Sequence, residues 1–225
     1  MNKKSFYVII TVFLFSILVC FIDGVIKPNY FVKVPIKVIF FLLLPFLFFI
    51  KNKNDFRDFK KLFCFRKKGI LRSLLLGVLI YIGMLLLYFL LCDVFDFSNV
   101  TSSLGSGMGI TSGNFIYVFI YISILNSFLE EFFFRGYGFI ILKKYSSRKF
   151  AYVFSSFIFA IYHIGMLIGM FDILPFLLIL VGLIIGGLIF NYLNERMDNI
   201  YSSWFVHMFA NFAINTIGLI LFKVL

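Results

Sequence analysis

Apolar residues occur along the chain in long uninterrupted runs, without the regular polar positions that mark a surface helix or strand of a soluble protein. A helix crosses the hydrocarbon core of a bilayer, about 30 Å thick, with roughly 17–25 residues. The run from Phe40 to Ile50 is apolar at every position, whereas the strands of a transmembrane barrel alternate. The pattern therefore predicts seven transmembrane helices, at residues 6–22, 34–50, 70–91, 115–142, 150–168, 174–193 and 201–222.

The first and the fourth of these segments differ from a simple membrane span. The first follows Lys3 and Lys4, as a signal peptide would, but it exceeds the usual apolar region of about 7–15 residues and no Ala-x-Ala-like cleavage site follows it, so we expect a retained helix. The fourth is too long for one untilted span, and Gly136 and Gly138 mark positions where it can break. The predicted fold class is an all-α polytopic membrane protein with seven to eight transmembrane helices, a single integral membrane domain over residues 1–225.

Composition excludes several classes of protein. The chain has 225 residues, of which 62% are hydrophobic and 14% are charged. Soluble domains carry about 25% charged residues, so disorder, a secreted disulfide scaffold and a free cytosolic enzyme are excluded. The cysteines, Cys20, Cys64 and Cys92, show no paired spacing typical of a metal or redox site, and we expect free thiols.

Charge is distributed unevenly about the predicted spans. The formal net charge is +11, from 21 Lys and Arg against 10 Asp and Glu. With the N-terminus in the cytoplasm, 16 of the 21 basic residues fall on the cytoplasmic side, nine of them between Lys51 and Arg72. Lys27, Lys33 and Lys37 then fall on the outer side. Because basic residues concentrate in cytoplasmic loops, this asymmetry predicts a cytoplasmic N-terminus.

The basic stretch 51–68 has a simple interpretation as a topology signal that also touches anionic lipid headgroups, at about 1 kcal/mol per residue. No nucleic-acid partner is expected, and the lipid bilayer is the surrounding partner. Richness in Lys, Asn, Ile and Phe is typical of an AT-rich bacterial genome. We therefore predict a multi-pass protein of the cell membrane, specifically of a bacterial plasma membrane.

Ionisable residues well inside the spans are few, and each costs at least about 2.5–3.5 kcal/mol on insertion scales. Both histidines of the chain are among them. Such residues call for a functional or pairing role because the membrane penalises them. The set is Glu130, Glu131, Arg135, His163 and His207.

The spacing of these residues predicts a shared polar cavity. Glu131 and Arg135 are four apart and share a helix face, whereas Glu130 is rotated by about 100° and points elsewhere. His207 and Asn211 are also four apart on one face of the last helix. Rises of about 1.5 Å per residue put Glu130, His163 and Asn211 at similar depth. If the whole set served only to pack helices, the free-energy cost of placing so many ionisable side chains in the membrane would have no functional return.

Three motifs carry these residues: Glu130-Glu131-x-x-x-Arg135, Phe159-x-x-x-His163 and His207-x-x-x-Asn211. Together, and in this order, they resemble the CAAX protease and bacteriocin-processing family of intramembrane peptidases, also called CPBP or Abi, which includes the prenyl-protein endopeptidases. The resemblance covers residues 126–215, which would form the CPBP-like catalytic helices.

The resemblance implies an intramembrane endopeptidase that hydrolyses a peptide bond in a membrane-associated peptide or lipidated protein. The biological settings would be CAAX-type processing, maturation of a bacteriocin or signal peptide, or bacteriocin self-immunity. Arg135 and Phe159 would give structural support, Arg135 by anchoring Glu131 and Phe159 by packing behind the site. The implied catalytic residues are Glu130, Glu131, His163, His207 and Asn211.

In one mechanism that this resemblance allows, Glu130 and His163 activate a water molecule, and His207 and Asn211 donate hydrogen bonds to the oxyanion. In the other, a zinc ion is held by His163, His207 and Glu130, and the second glutamate is the base. No cofactor is required by the first mechanism, which we favour, and Zn²⁺ is the cofactor of the second. The sequence leaves both the metalloprotease and the glutamate-protease class open.

Two functions outside catalysis remain as alternatives. The first is a non-catalytic bacteriocin-immunity or membrane-partner binding protein, against which the intact motifs argue. The second is a proton-coupled transporter, since intramembrane Glu and His can relay protons. The chain shows no inverted repeat or pair of broken helices of the kind that transporters use.

Overall fold

The computed structural model describes residues 2–65 and 69–224, with only the backbone described for Tyr30, Phe31 and Gly107. All regular secondary structure in these ranges is helical. The three basic residues at 66–68 lie outside the described residues, so their predicted cytoplasmic position stays a prediction. The all-α fold class is confirmed.

The transmembrane helices match the predicted segments closely. Seven helices of the described ranges are long and apolar enough to cross a membrane, and two short helices lie in the connections. The helices are α1 (Lys3–Ile26), α2 (Val32–Lys51), α3 (Lys53–Lys61), α4 (Ile70–Leu91), α5 (Ser98–Met108), α6 (Phe115–Tyr145), α7 (Arg148–Leu167), α8 (Ile173–Met197) and α9 (Tyr201–Leu221).

The long fourth span is one continuous helix, α6, of 31 residues. It does not break at Gly136 or Gly138. Instead it contains two π-helical segments, Tyr121–Asn126 and Glu131–Ile141. A Cβ at Gly136 would lie 3.1 Å from the Phe59 ring of α3, so this glycine permits close packing. The additional eighth helix considered from the sequence does not form.

The core surrounds α6. Nearly every residue from Ser127 to Leu142 is buried, while α4 and α8 expose many large apolar side chains to the lipid. Aromatic rings fill the space between α6 and α2, where Phe41 stacks on Phe133 with ring centroids 4.2 Å apart. Because α6 is enclosed by other helices, polar side chains on it are shielded from lipid tails.

A cluster of ion pairs holds α1, α3 and α6 together at one end of the molecule. Asp55 of α3 is fully buried and accepts hydrogen bonds from Lys4 and Lys144, both at 2.8 Å, and from the Tyr145 hydroxyl at 2.6 Å. Burial raises the pKa of Asp55, but these three donors outweigh it and hold the pKa below its ordinary value. Asp55, one of the two acidic residues in the stretch 51–68, thus anchors α3 to α1 and α6.

Lys33 and Lys37, which were expected on the outer side, are buried in the helix bundle. Both lie inside α2, and their exposed fractions are only 4% and 8%. Lys33 forms an ion pair with Asp23 at 3.0 Å. Lys37 points into the protein toward α6 and α7, where its contacts are polar. The predicted cytoplasmic N-terminus rests on the other basic residues and stays a prediction.

Candidate active site

Two consecutive carboxylates of α6, Glu130 and Glu131, lie at the centre of the bundle and are 2% and 0% exposed. Neighbouring positions of a helix point about 100° apart, so the two side chains have different surroundings. Glu130 approaches both histidines. Glu131 contacts His207 and Ser203 of α9 and Arg135 of its own helix.

His207 lies between the two carboxylates. Its Nδ1 is 2.9 Å from Glu131 Oε1, and its Nε2 is 3.6 Å from Glu130 Oε2. A neutral imidazole donates from one nitrogen and accepts at the other. Since a carboxylate only accepts, Nδ1 carries a proton, and Nε2 faces Glu130.

His163 of α7 is oriented in the same way. Its Nδ1 is 2.7 Å from the Phe159 carbonyl oxygen, which can only accept, so Nδ1 donates. Its Nε2 lies 3.9 Å from Glu130 Oε2. Both separations from Oε2 exceed the length of a hydrogen bond, and a water that lies beside Oε2 and one of the Nε2 atoms is within hydrogen-bond reach of both.

The two oxygens of Glu130 differ in their surroundings. Oε1 accepts from Asn126 Nδ2 at 2.6 Å and from the Tyr162 hydroxyl at 3.0 Å. Oε2 faces the two Nε2 atoms across the wider gap. One oxygen is thus fixed by donors and the other is presented to the histidines.

Arg135 and Phe159 support the site from behind. Arg135 lies 3.4 Å from Glu131 Oε1, and its guanidinium is 4.0 Å from the centre of the Phe159 ring. Phe159 in turn meets His163 edge to face, with ring centroids 4.7 Å apart. Ser203 donates to the other oxygen of Glu131 and accepts from Asn194 Nδ2 at 2.6 Å.

Asn211 lies on α9 one turn beyond His207 and packs against α6. Its Nδ2 donates to the Ile122 carbonyl at 3.2 Å, in the first π-helical segment of α6. The structure therefore brings Glu130, Glu131, His163 and His207 into one cluster. It holds Asn211 against the adjoining backbone, with a second amide hydrogen still available.

Three polar residues of the site were not predicted from the sequence. Asn126 and Tyr162 donate to Glu130, and Lys37 donates to both of them, at 3.2 Å and 2.5 Å. Asn126 stands one helical turn before Glu130, and Tyr162 directly precedes His163. Lys37 lies within the apolar run that begins at residue 34. A lysine at this position is compatible with burial in the protein as well as with an outer loop.

The donor set considered for zinc consists of His163, His207 and Glu130. Within residues 2–65 and 69–224, no group of three or more His, Cys, Asp or Glu side chains is arranged to hold a metal ion. His163 Nε2 and His207 Nε2 lie 3.9 Å and 3.6 Å from Glu130 Oε2. No step proposed below therefore passes through a metal.

Comparison with known proteins gives a match to a family model. Residues 112–213 match the family model described as type II CAAX prenyl endopeptidase, Rce1-like. No curated protein and no solved structure matches the chain. The matched range runs from just before α6 into α9 and includes all three motifs and the four clustered residues. The chain is therefore a multi-pass membrane protein, and its residues 112–213 match this family of membrane proteases, as the resemblance of the three motifs predicts.

Proposed function

We propose that this intramembrane endopeptidase hydrolyses a peptide bond with a water molecule that Glu130 activates. One observation carries the proposal: donors fix Glu130 Oε1, while Oε2 faces the Nε2 atoms of His163 and His207. A general base must lie within reach of the proton that it removes, directly or through one water. Oε2 meets this requirement for a water held between the carboxylate and His163.

The chemical step is proton transfer coupled to attack. The water donates one hydrogen to Glu130 Oε2 and the other to His163 Nε2, and its oxygen attacks the carbonyl carbon of the substrate. Glu130 takes the first proton as the C–O bond forms and the carbonyl becomes an oxyanion. When the C–N bond breaks, the leaving amine takes that proton from Glu130, which returns to its carboxylate form.

The oxyanion donors in this proposal are His207 and Asn211. His207 donates from Nε2 only when both ring nitrogens carry protons, and Glu131 lies 2.9 Å from Nδ1, where it stabilises the positive ring. Asn211 offers the amide hydrogen that is not used on Ile122. Removal of one such donor costs roughly 10²–10³-fold in rate in other hydrolases.

The substrate is proposed to be a membrane-associated peptide or lipidated protein. Burial of Glu130 within the helix bundle favours a substrate that enters from the bilayer. For a chain of bacterial composition we propose maturation of a bacteriocin or signal peptide, or immunity by degrading one, in the plasma membrane. Residues 126–215 would supply the catalytic helices, and nucleic acid has no part in the reaction.

Mass spectrometry of candidate peptides incubated with the purified protein in liposomes tests the proposal. Wild-type protein is expected to produce a defined cut that Glu130→Gln does not. The matched control is Glu195→Gln, because Glu195 is an α8 carboxylate paired with Arg148 and Lys143 away from the cluster. Cleavage by Glu130→Gln at the wild-type rate would contradict the role of Glu130 as the base. Absence of any cleavage by the wild-type protein would contradict the endopeptidase function and leave the non-catalytic binding function.

A chelator distinguishes the metal-free mechanism from the zinc mechanism. The expected result is cleavage by purified protein that persists in the presence of a chelator. Zinc bound in a one-to-one ratio and lost in His163→Ala and His207→Ala would instead show the metalloprotease mechanism, and the role of Glu130 as the base would fall with it.

A further inference from the structure

Lys37 is a buried cation that the mechanism above does not use. It is 8% exposed, in α2, and its Nζ donates to Asn126 Oδ1 at 3.2 Å and to the Tyr162 hydroxyl oxygen at 2.5 Å. Both of these partners are neutral groups. A lysine inside a membrane helix usually reaches toward the interface, so its inward direction calls for a reason.

The two partners of Lys37 are the two donors to Glu130. Asn126 Nδ2 and the Tyr162 hydroxyl both donate to Glu130 Oε1. The cation and the carboxylate are thus linked by two parallel bridges of one residue each. Hydrogen bonds in such chains polarise and strengthen one another.

Lys37 also fixes the direction of both bridges. An ammonium group only donates, so it holds the Asn126 carbonyl oxygen toward itself and turns the amide nitrogen toward Glu130. For the same reason the Tyr162 oxygen accepts from Lys37, and the hydroxyl hydrogen is left for the carboxylate. Without Lys37 the amide can flip and the hydroxyl can rotate.

We propose that Lys37 is a positioning residue that acts on Glu130 through Asn126 and Tyr162. By holding both donors on Oε1, it leaves Oε2 as the oxygen that meets water and the histidines. Lys37 itself touches neither the histidines nor the substrate. This inference rests on the proposed function for its catalytic consequence, but the linkage to Glu130 can be measured without any substrate.

The charges of the buried cluster support this role. Glu131 has a cation on its own helix, Arg135, at 3.4 Å. Glu130 has the two imidazoles at 3.6 Å and 3.9 Å and is linked to Lys37 through the two bridges. Two buried carboxylates are thereby balanced by two buried cations, one of which comes from α2, outside the matched range 112–213.

Lys33 provides a matched control. It lies one helical turn earlier in α2, is 4% exposed, and pairs with Asp23 at 3.0 Å. Replacement of both members, Lys33→Met with Asp23→Asn, removes a buried lysine without leaving its partner charged and alone. Neither residue takes part in the bridges to Glu130.

A double-mutant cycle in thermal unfolding tests the linkage directly. Lys37→Met is expected to lower the Tm of the otherwise wild-type protein, and to lower it by less than half as much when Glu130→Gln is already present. The Lys33 control pair is expected to shift the Tm equally in both backgrounds. Equal losses from Lys37→Met in both backgrounds would overturn the proposal, whether or not the protein cleaves peptides.

The catalytic consequence is a split between kcat and KM. Removal of a partner that orients a functional group typically lowers activity about 10–100-fold. Lys37→Met is therefore expected to lower kcat by that factor, with KM nearly unchanged. Lys37→Arg should recover most of the loss, since it restores a donating cation, and the Lys33 control pair should keep the wild-type kcat.

An unchanged kcat in folded Lys37→Met would overturn the positioning role. Failure of the proposed function is a different result: Glu130→Gln would then cleave as fast as wild type, while the thermal cycle would still report whether Lys37 and Glu130 are linked.

Discussion

Two buried carboxylates, Asp55 near one end of the bundle and Glu130 at its centre, show how differently the same group can be used. Asp55 has strong donors on both oxygens, Lys144 and Tyr145 on Oδ1 and Lys4 on Oδ2. Glu130 has donors on Oε1 only. A carboxylate with donors on both oxygens holds helices together, and one with an oxygen free of donors can accept a proton from a reactant.

The largest effect is expected from Glu130→Gln, which keeps the shape and removes the base. General base catalysis contributes about 10²–10⁴-fold, so kcat should fall by at least two orders of magnitude while the Tm changes little. Kinetics and thermal unfolding on the same preparation check both halves. If the variant mainly lost stability and kept its kcat, Glu130 would resemble Asp55 and the contrast would be lost.

Asp55→Asn should show the opposite pattern. A hydrogen bond to a charged group is worth about 1.5–3 kcal/mol, and the partly exposed lysines around Asp55 can turn to solvent, so we expect a loss of this size in the free energy of unfolding. The kcat of the folded protein should stay at the wild-type value. A hundredfold fall in kcat without loss of stability would show that this ion-pair cluster serves the reaction.

Ser203→Ala sharpens the comparison on the neighbouring carboxylate. Ser203 donates to Glu131, which holds His207 at 2.9 Å. Since Arg135 and His207 remain, we expect kcat to fall by about tenfold, at the lower end for an orienting partner. The matched control is Ser155→Ala, whose hydroxyl donates to the Phe134 carbonyl away from the histidines. Equal kcat values for the two variants would contradict this role.

The smallest effect concerns pH. Because the pKa of Asp55 is lower in the folded protein than its ordinary value, its stabilising contribution is present above the unfolded pKa and is lost as the pH falls through the folded pKa. The Tm difference between wild type and Asp55→Asn should therefore be constant near neutral pH and shrink below about pH 4. Asp58, whose pKa is also lowered by Lys144 and Lys61, remains in both proteins. A difference that grew on acidification would contradict the assignment.

The spans and the central cluster were predictable because each leaves a strong signal in the sequence. Twenty apolar residues in a row have few alternatives to a membrane helix, and Glu130, His163 and His207 are conspicuous against such a background. The residues that were missed give weaker signals. The sequence around Lys37, near the start of an apolar run, is the same whether the ammonium group points outward to water or inward. Its inward direction depends on the position of Tyr162 on another helix, which the sequence does not show.

The continuity of α6 was hidden for a related reason. Gly136 and Gly138 suggest a break when the chain is considered alone, but in the bundle Gly136 makes room for the Phe59 ring and Gly138 for Val12. Packing partners that lie many residues away determine whether a glycine ends a helix or lets another helix approach. A sequence pattern confined to one segment carries no information about them.

The stacking of Phe41 on Phe133, described above as part of the core, has a consequence for dividing the chain experimentally. It joins α2 to the part of α6 that carries the motifs, across the start of the matched range at residue 112. A fragment trimmed to residues 112–213 would contain every recognisable motif but would expose that ring face to lipid. The start of the matched range therefore lies within a packed core, and we expect a fragment 112–213 to assemble only when the amino-terminal helices are coexpressed with it.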